Sequence, residues 1–118
     1  MTDPDYFDGN EAGRRIFRAV QRAMTGLEGV ETRLSKSQTG FYRAHPFAAV
    51  WQPDQYLKGR RPPLVLTLFL RRRVASDRWK EVVEPSPGRF THHLELRAPS
   101  DVDAEVRDWL AEAWREAG

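Results

Sequence analysis

Between Arg60 and Arg73 lies the longest apolar run of the chain, Leu64-Val65-Leu66-Thr67-Leu68-Phe69-Leu70, preceded by Arg60-Arg61-Pro62-Pro63 and followed by Arg71-Arg72-Arg73. Seven apolar or β-branched residues behind two prolines suit a strand buried on at least one face and are too few to span a bilayer. A strand of that kind belongs inside a sheet, so the rest of the chain must supply neighbours for it and elements to cover it. Side chains alternate between the faces of a strand. Leu64, Leu66, Leu68 and Leu70 are therefore expected to meet a covering layer, and Val65, Thr67 and Phe69 to floor the opposite face.

Two amphipathic segments are available as cover. Ala12, Ile16, Ala19, Val20, Ala23, Met24 and Leu27 recur at three- and four-residue spacings, which predicts a helix over about residues 9–26. Asp8 with Glu11 three residues later has the spacing of a capping box, Phe7 is placed to staple the first turn, and Gly26 and Gly29 end the segment. Asp3-Pro4 predicts a short turn through Tyr6 and Phe7 ahead of it. At the other end of the chain Ser100 is the expected N-cap, with Asp101, Asp103 and Glu105 at the positive end of the helix dipole. Val102, Val106, Trp109, Leu110, Ala113 and Ala117 form that helix's apolar stripe, with Trp114 at its margin.

Between the helices the period is two. Val30, Thr32 and Leu34 predict a half-exposed strand, residues 35–40 a polar connection, Phe41–Ala44 a second strand and Phe47–Trp51 a third that is apolar on both faces. Trp79–Val83 and Arg89–Leu96 follow the central strand, joined by a turn in which Pro87-Gly88 suits the middle of a type II turn. Phe90, His92, Leu94 and Leu96 fall on one face of the last strand, and Thr91, His93, Glu95 and Arg97 on the other. Only one of the two adjacent histidines can face a helix-covered core. The expected fold is a two-layer α+β domain spanning residues 1–118, a mainly antiparallel sheet of five or six strands with the N- and C-terminal helices on one face. Helices on both faces are the alternative.

Charge is unevenly spread. Residues 1–30 carry −1, residues 31–98 carry +7 and residues 99–118 carry −4, so the basic middle is either an anion-binding surface or a basic sheet balanced by its own acidic helix. The absence of cysteine removes disulfides, thiolate metal sites and cysteine nucleophiles. The acidic start, Met1-Thr2-Asp3-Pro4-Asp5, is unlike a signal peptide, and a soluble cytoplasmic protein is expected.

Several segments carry a family resemblance: Tyr6-Phe7 with Gly9, Ser35-Lys36-Ser37-Gln38 with Phe41, Phe47 to Trp51, Arg78-Trp79-Lys80-Glu81-Val82, Phe90-Thr91-His92-His93-Leu94, and Asp103 to Trp114. In this order they resemble an uncharacterised bacterial family, domain of unknown function 5655, over nearly the whole chain. The resemblance implies the fold and a single domain and brings no activity with it. Thr39 stands where the family's usual residue is apolar, a departure expected to weaken packing there.

Ser35-Lys36-Ser37-Gln38 is the most site-like stretch. Lys36 is adjacent to both serines instead of three residues along a helix, so a Ser/Lys catalytic dyad is not formed; anion binding by Lys36, Ser37 and Gln38 or a plain polar connection remains. His92 and His93 point to opposite faces and cannot chelate one metal ion together. The expected function is a small non-enzymatic binding module for an anionic small molecule or a protein partner on the uncovered sheet face, using Lys36, Ser37, Gln38, Trp51, Trp79 and His93. No cofactor, metal or membrane is expected. The alternatives are an enzyme acting on an anionic substrate through Lys36 and His93, and a nucleic-acid accessory protein using Arg60, Arg61, Arg71, Arg72 and Arg73 with stacking on sheet aromatics.

Overall fold

A computed structural model describes residues 7–53 and 62–118; the expected turn at Asp3-Pro4 and the residues Arg60 and Arg61 lie outside that range. The element order is α1 (Glu11–Ala23), β1 (Glu31–Leu34), β2 (Gln38–Tyr42), β3 (Pro46–Trp51), β4 (Leu64–Leu70), β5 (Glu81–Ser86), β6 (Arg89–Leu96) and α2 (Ala104–Glu116), with a 3₁₀ turn at Pro99–Asp101. The strands form one sheet in the order β1-β2-β3-β4-β6-β5, and every pairing is antiparallel.

The apolar run lies inside this sheet, between β3 and β6. Leu64, Leu66, Leu68 and Leu70 are all buried and share one core with Ile16, Phe17 and Val20 of α1 and with Val106, Leu110 and Ala113 of α2. Both helices thus cover the same face, in a two-layer α+β fold. Phe17, outside the predicted stripe of α1, is as buried as Ile16 and packs on Phe7 with ring centroids 5.4 Å apart.

Both helices start later than their sequence signals suggest, and for a similar reason. Asn10, not Asp8, caps α1: its Oδ1 accepts from Gly13 N–H (3.0 Å), while its Nδ2 donates to Gln52 Oε1 (2.8 Å) and to the Pro63 carbonyl (2.9 Å). One amide thus closes the helix and ties it to the end of β3 and the approach to β4, a tertiary role that Asp8 does not take. Asp103, not Ser100, caps α2 through Val106 N–H (3.1 Å). Asp101 folds back to accept from Arg97 N–H and Ala98 N–H, which winds Pro99–Asp101 into its own turn before the helix.

Strand bounds also move. Ser35 N–H and Ser35 Oγ both donate to the Gln38 carbonyl (2.9 and 3.1 Å), so the expected polar connection over 35–40 is a tight hairpin and β2 begins at Gln38. The first strand is exposed along its whole length instead of on one face, because it is the sheet's edge and the helices sit over the inner strands. Thr39 is 1% exposed; the polar residue in place of an apolar one is accommodated inside the sheet. The fifth strand, expected over Trp79–Val83, runs instead from Glu81 to Ser86, so the turn shortens to Pro87-Gly88, with Gly88 at φ +75°, a backbone region that favours glycine.

The acidic last helix is clamped by arginines of the β4–β5 connection. Arg78 Nη1 reaches Asp103 (3.1 Å) and Glu105 (2.7 Å), Arg72 pairs with Glu112 through two bonds (2.8 and 2.9 Å), and Arg71 Nη2 donates to the Glu116 carbonyl (2.9 Å). Ala44 and Ala117 complete the last turn: Ala44 N–H and His45 N–H both donate to the Ala117 carbonyl. Cations and amides thus meet the negative end of the helix dipole. Part of the +7 middle thus meets the −4 end of the sequence in an internal contact, through Arg71, Arg72 and Arg78.

Candidate functional site

The face of the sheet away from the helices is built by register. One row crosses it as Arg33, Gly40, Ala49, Thr67, His93 and Glu81, each the cross-strand partner of the next. Small residues occupy its middle, so larger neighbours fold over it. A Cβ at Gly40 would come within 2.9 Å of the Tyr42 ring, and the Arg33 guanidinium lies 4.0 Å above that ring's centre.

At Thr67 the row becomes a hydrogen-bonded clasp. Trp51 Nε1–H donates to Thr67 Oγ1 (3.0 Å), and Thr67 Oγ1 lies 2.9 Å from His93 Nδ1. The Trp51 and His93 rings meet edge to face at 6.3 Å. Indole can only donate, so it takes one lone pair of the hydroxyl. The hydroxyl then meets Nδ1 either as a donor, with the His93 proton on Nε2, or as an acceptor through its second lone pair, with that proton on Nδ1; the direction follows the tautomer. Burial holds the His93 imidazole below its ordinary range, with Glu81 opposing and Lys80 reinforcing that effect. With Thr67 5% exposed beneath them, Trp51 and His93 form a lid over the strand, and their outer sides, with exposed Gln38 opposite Trp51 in the register, form the accessible surface. The middle of this face is thus closed over Val65 and Thr67, both buried, and not the open floor expected from the sequence; Phe69 remains exposed.

The predicted residues separate. Trp51 and His93 come together across Thr67; Gln38 is the register partner of Trp51 but is three strand spacings and two residues from His93, roughly 16 Å at ~4.8 Å per strand and ~3.3 Å per residue. Lys36 and Ser37 are at the exposed tip of the β1–β2 hairpin. Three strand spacings and four residues separate Lys36 from His93, roughly 19 Å at ~4.8 Å per strand and ~3.3 Å per residue, so the two do not share one ligand atom. Trp79 lies on the helix side, its ring 4.7 Å from His92 and 4.3 Å from Trp109, with Nε1–H bonded to the Val74 carbonyl (3.1 Å); it does not join His93. Thr67, which orders the cluster, has no sequence motif. Its only signal is its position as the one polar residue in an apolar strand.

His92 is fully buried and accepts from Val74 N–H at Nε2 (3.1 Å), leaving its proton on Nδ1, which has no hydrogen-bond partner. Burial lowers its pKa; the carbonyls of Phe90 and Leu68 favour its proton electrostatically without closing a hydrogen bond to Nδ1, and Arg73 and Arg72 disfavour it. Among the described residues no group of three His, Cys, Asp or Glu side chains is placed to hold a metal ion, and no helix is long and apolar enough to cross a membrane. Of the arginines suggested for nucleic acid, Arg71 and Arg72 engage α2 and Arg73 lies 5.4 Å from the Phe90 ring centre.

Compared with known proteins, the chain matches, over residues 4–117, the family described as Domain of unknown function (DUF5655). No curated protein and no solved structure matches it. The chain belongs to the DUF5655 family.

Proposed function

We propose that this member of the family is a binding module whose ligand rests on the outer side of the Trp51–His93 lid and presents a hydrogen-bond acceptor to His93 Nε2. The observation that carries this reading is the ordered chain from Trp51 through Thr67 to His93, which holds the imidazole next to an aromatic wall; with Thr67 taken as donor to Nδ1, the ring proton lies on Nε2. A general base at Nε2 needs the opposite tautomer, usually held by a carboxylate at Nδ1; the partner at Nδ1 is a hydroxyl. Binding is therefore favoured over acid–base catalysis.

Glu81 stands across from His93 in the register, and Glu95 two residues along it pairs with Lys80 at 3.2 Å. These carboxylates oppose a multiply charged anion and suit a carbonyl or a single carboxylate, on a small molecule or a protein segment. The cysteine-free composition supports a cytoplasmic setting.

Titration of ¹⁵N-labelled protein with acetate and with acetamide tests the proposal. Shifts should gather at the Trp51 indole and His93, and be lost in His93→Phe, which keeps a ring but has no donor. Shifts that scatter over the surface, or persist unchanged in His93→Phe, contradict it.

A further inference from the structure

The two edges of the sheet are not alike. At one edge β5 carries Pro85, and its register with β6 breaks between Val83 and Ser86; a missing donor and a bulge are common guards against further strand pairing. At the other edge β1 has neither. It is exposed from Glu31 to Leu34 with Leu34 61% accessible, and no described strand lies beyond it.

Which groups β1 offers follows from the ladder. Ser35 N–H bonds to Gln38, so by antiparallel alternation Arg33 and Glu31 direct their backbone groups toward β2, while Leu34 and Thr32 direct theirs outward. A second copy pairing antiparallel about a two-fold axis must therefore place Thr32 or one of its neighbours on that axis. With Arg33 on the axis, two guanidiniums face each other; with Glu31 on it, two carboxylates do. With Thr32 on the axis, Glu31 faces Arg33 of the second copy twice, and Val30 faces Leu34 twice. This register also opposes the outward N–H and C=O of one Thr32 to those of the other.

We infer that β1 is a self-complementary docking edge, through which two copies of this chain join their sheets in the register centred on Thr32. The charges agree with that register on one face of the sheet. On the helix side, Leu34, exposed in the single chain, gains an apolar neighbour in Val30, which already lies at the margin of the core. Five residues on each side bury less than a standard interface of about 1,600 Å², so the dimer is a weak one, with dissociation in the micromolar to millimolar range.

Sedimentation of the full chain over that concentration range, read with concentration-dependent amide shifts, tests the inference. The wild type should pass from monomer to dimer with shifts confined to Val30 through Leu34. Thr32→Pro removes only an outward N–H and leaves the β1–β2 ladder intact; it should weaken association by about tenfold or more. Arg33→Glu should do the same, and the double exchange Glu31→Arg with Arg33→Glu should restore association to within roughly threefold of wild type. This charge-swap arm stands on its own where Thr32→Pro disturbs folding. A monomer at every concentration, shifts elsewhere on the surface, or a double exchange no better than the single one overturns it.

Discussion

His92 and His93 are neighbours in one strand, and the sheet gives them opposite lives. His92 points into the helix layer, is fully buried, and packs beside Trp79, which in turn packs on Trp109. His93 points the other way and is held with Trp51 through Thr67. Each histidine has a tryptophan beside it, yet the rings on the helix side are held by the Val74 backbone whereas those on the far side meet at the Thr67 hydroxyl. The Val74 contact fixes Nδ1–H for His92, and the proposed ligand contact calls for Nε2–H on His93. Composition alone does not separate a packing histidine from a presenting one; the alternation of the strand does.

The contrast breaks most strongly on the helix side. Trp109 is 7% exposed and sits against Trp79 and, more distantly, the Arg78 guanidinium; Trp109→Ala should destabilise the fold by about 3–5 kcal/mol in chemical denaturation, and leave the Trp51 indole N–H resonance in place at temperatures where the variant stays folded. On the far side Thr67→Val keeps the shape and removes the hydroxyl. Its expected cost is smaller, about 1–3 kcal/mol, from two partners left without their bond, and the His93 tautomer should cease to be fixed while that of His92 is unchanged. A loss equal to that of Trp109→Ala would mean that the clasp is packing and not positioning.

Acid sharpens the comparison. Both imidazoles are held below the ordinary value of 6.5 by burial, so below that value the unfolded chain binds more protons than the folded one. Stability is complete above pH 6.5 and falls as the pH drops through the window between the ordinary value and the lowered folded ones. Denaturation curves across this window should show the fall; His93→Gln and His92→Gln should each remove part of it. Smallest of all is the sheet-to-helix clamp at Arg72, which is more than half exposed. Arg72→Ala should cost about 1 kcal/mol or less, and should slightly ease the lowering of the His92 pKa without touching that of His93.

Much of this arrangement is legible in the sequence. The alternation of Leu64 to Leu70 and of Phe90 to Arg97 places both histidines on their observed sides, and the charge blocks anticipate an acidic helix on a basic sheet. What the sequence conceals is long-range. Asn10 outcompetes Asp8 as a cap because Gln52 and Pro63 hold its amide. Trp79, expected to open the strand, lies two residues before β5, outside any alternation, and its side is decided by His92, Trp109 and the Val74 carbonyl. Thr67 is unremarkable in an apolar strand until β3 and β6 bring Trp51 and His93 to it.

The most direct measurement is a two-bond ¹H–¹⁵N correlation spectrum of the histidine rings at neutral pH. The Val74 contact calls for a neutral His92 protonated at Nδ1, and the proposed function calls for a neutral His93 protonated at Nε2 with its Nδ1 accepting from Thr67. A His93 ring that is charged, or protonated at Nδ1, contradicts the account.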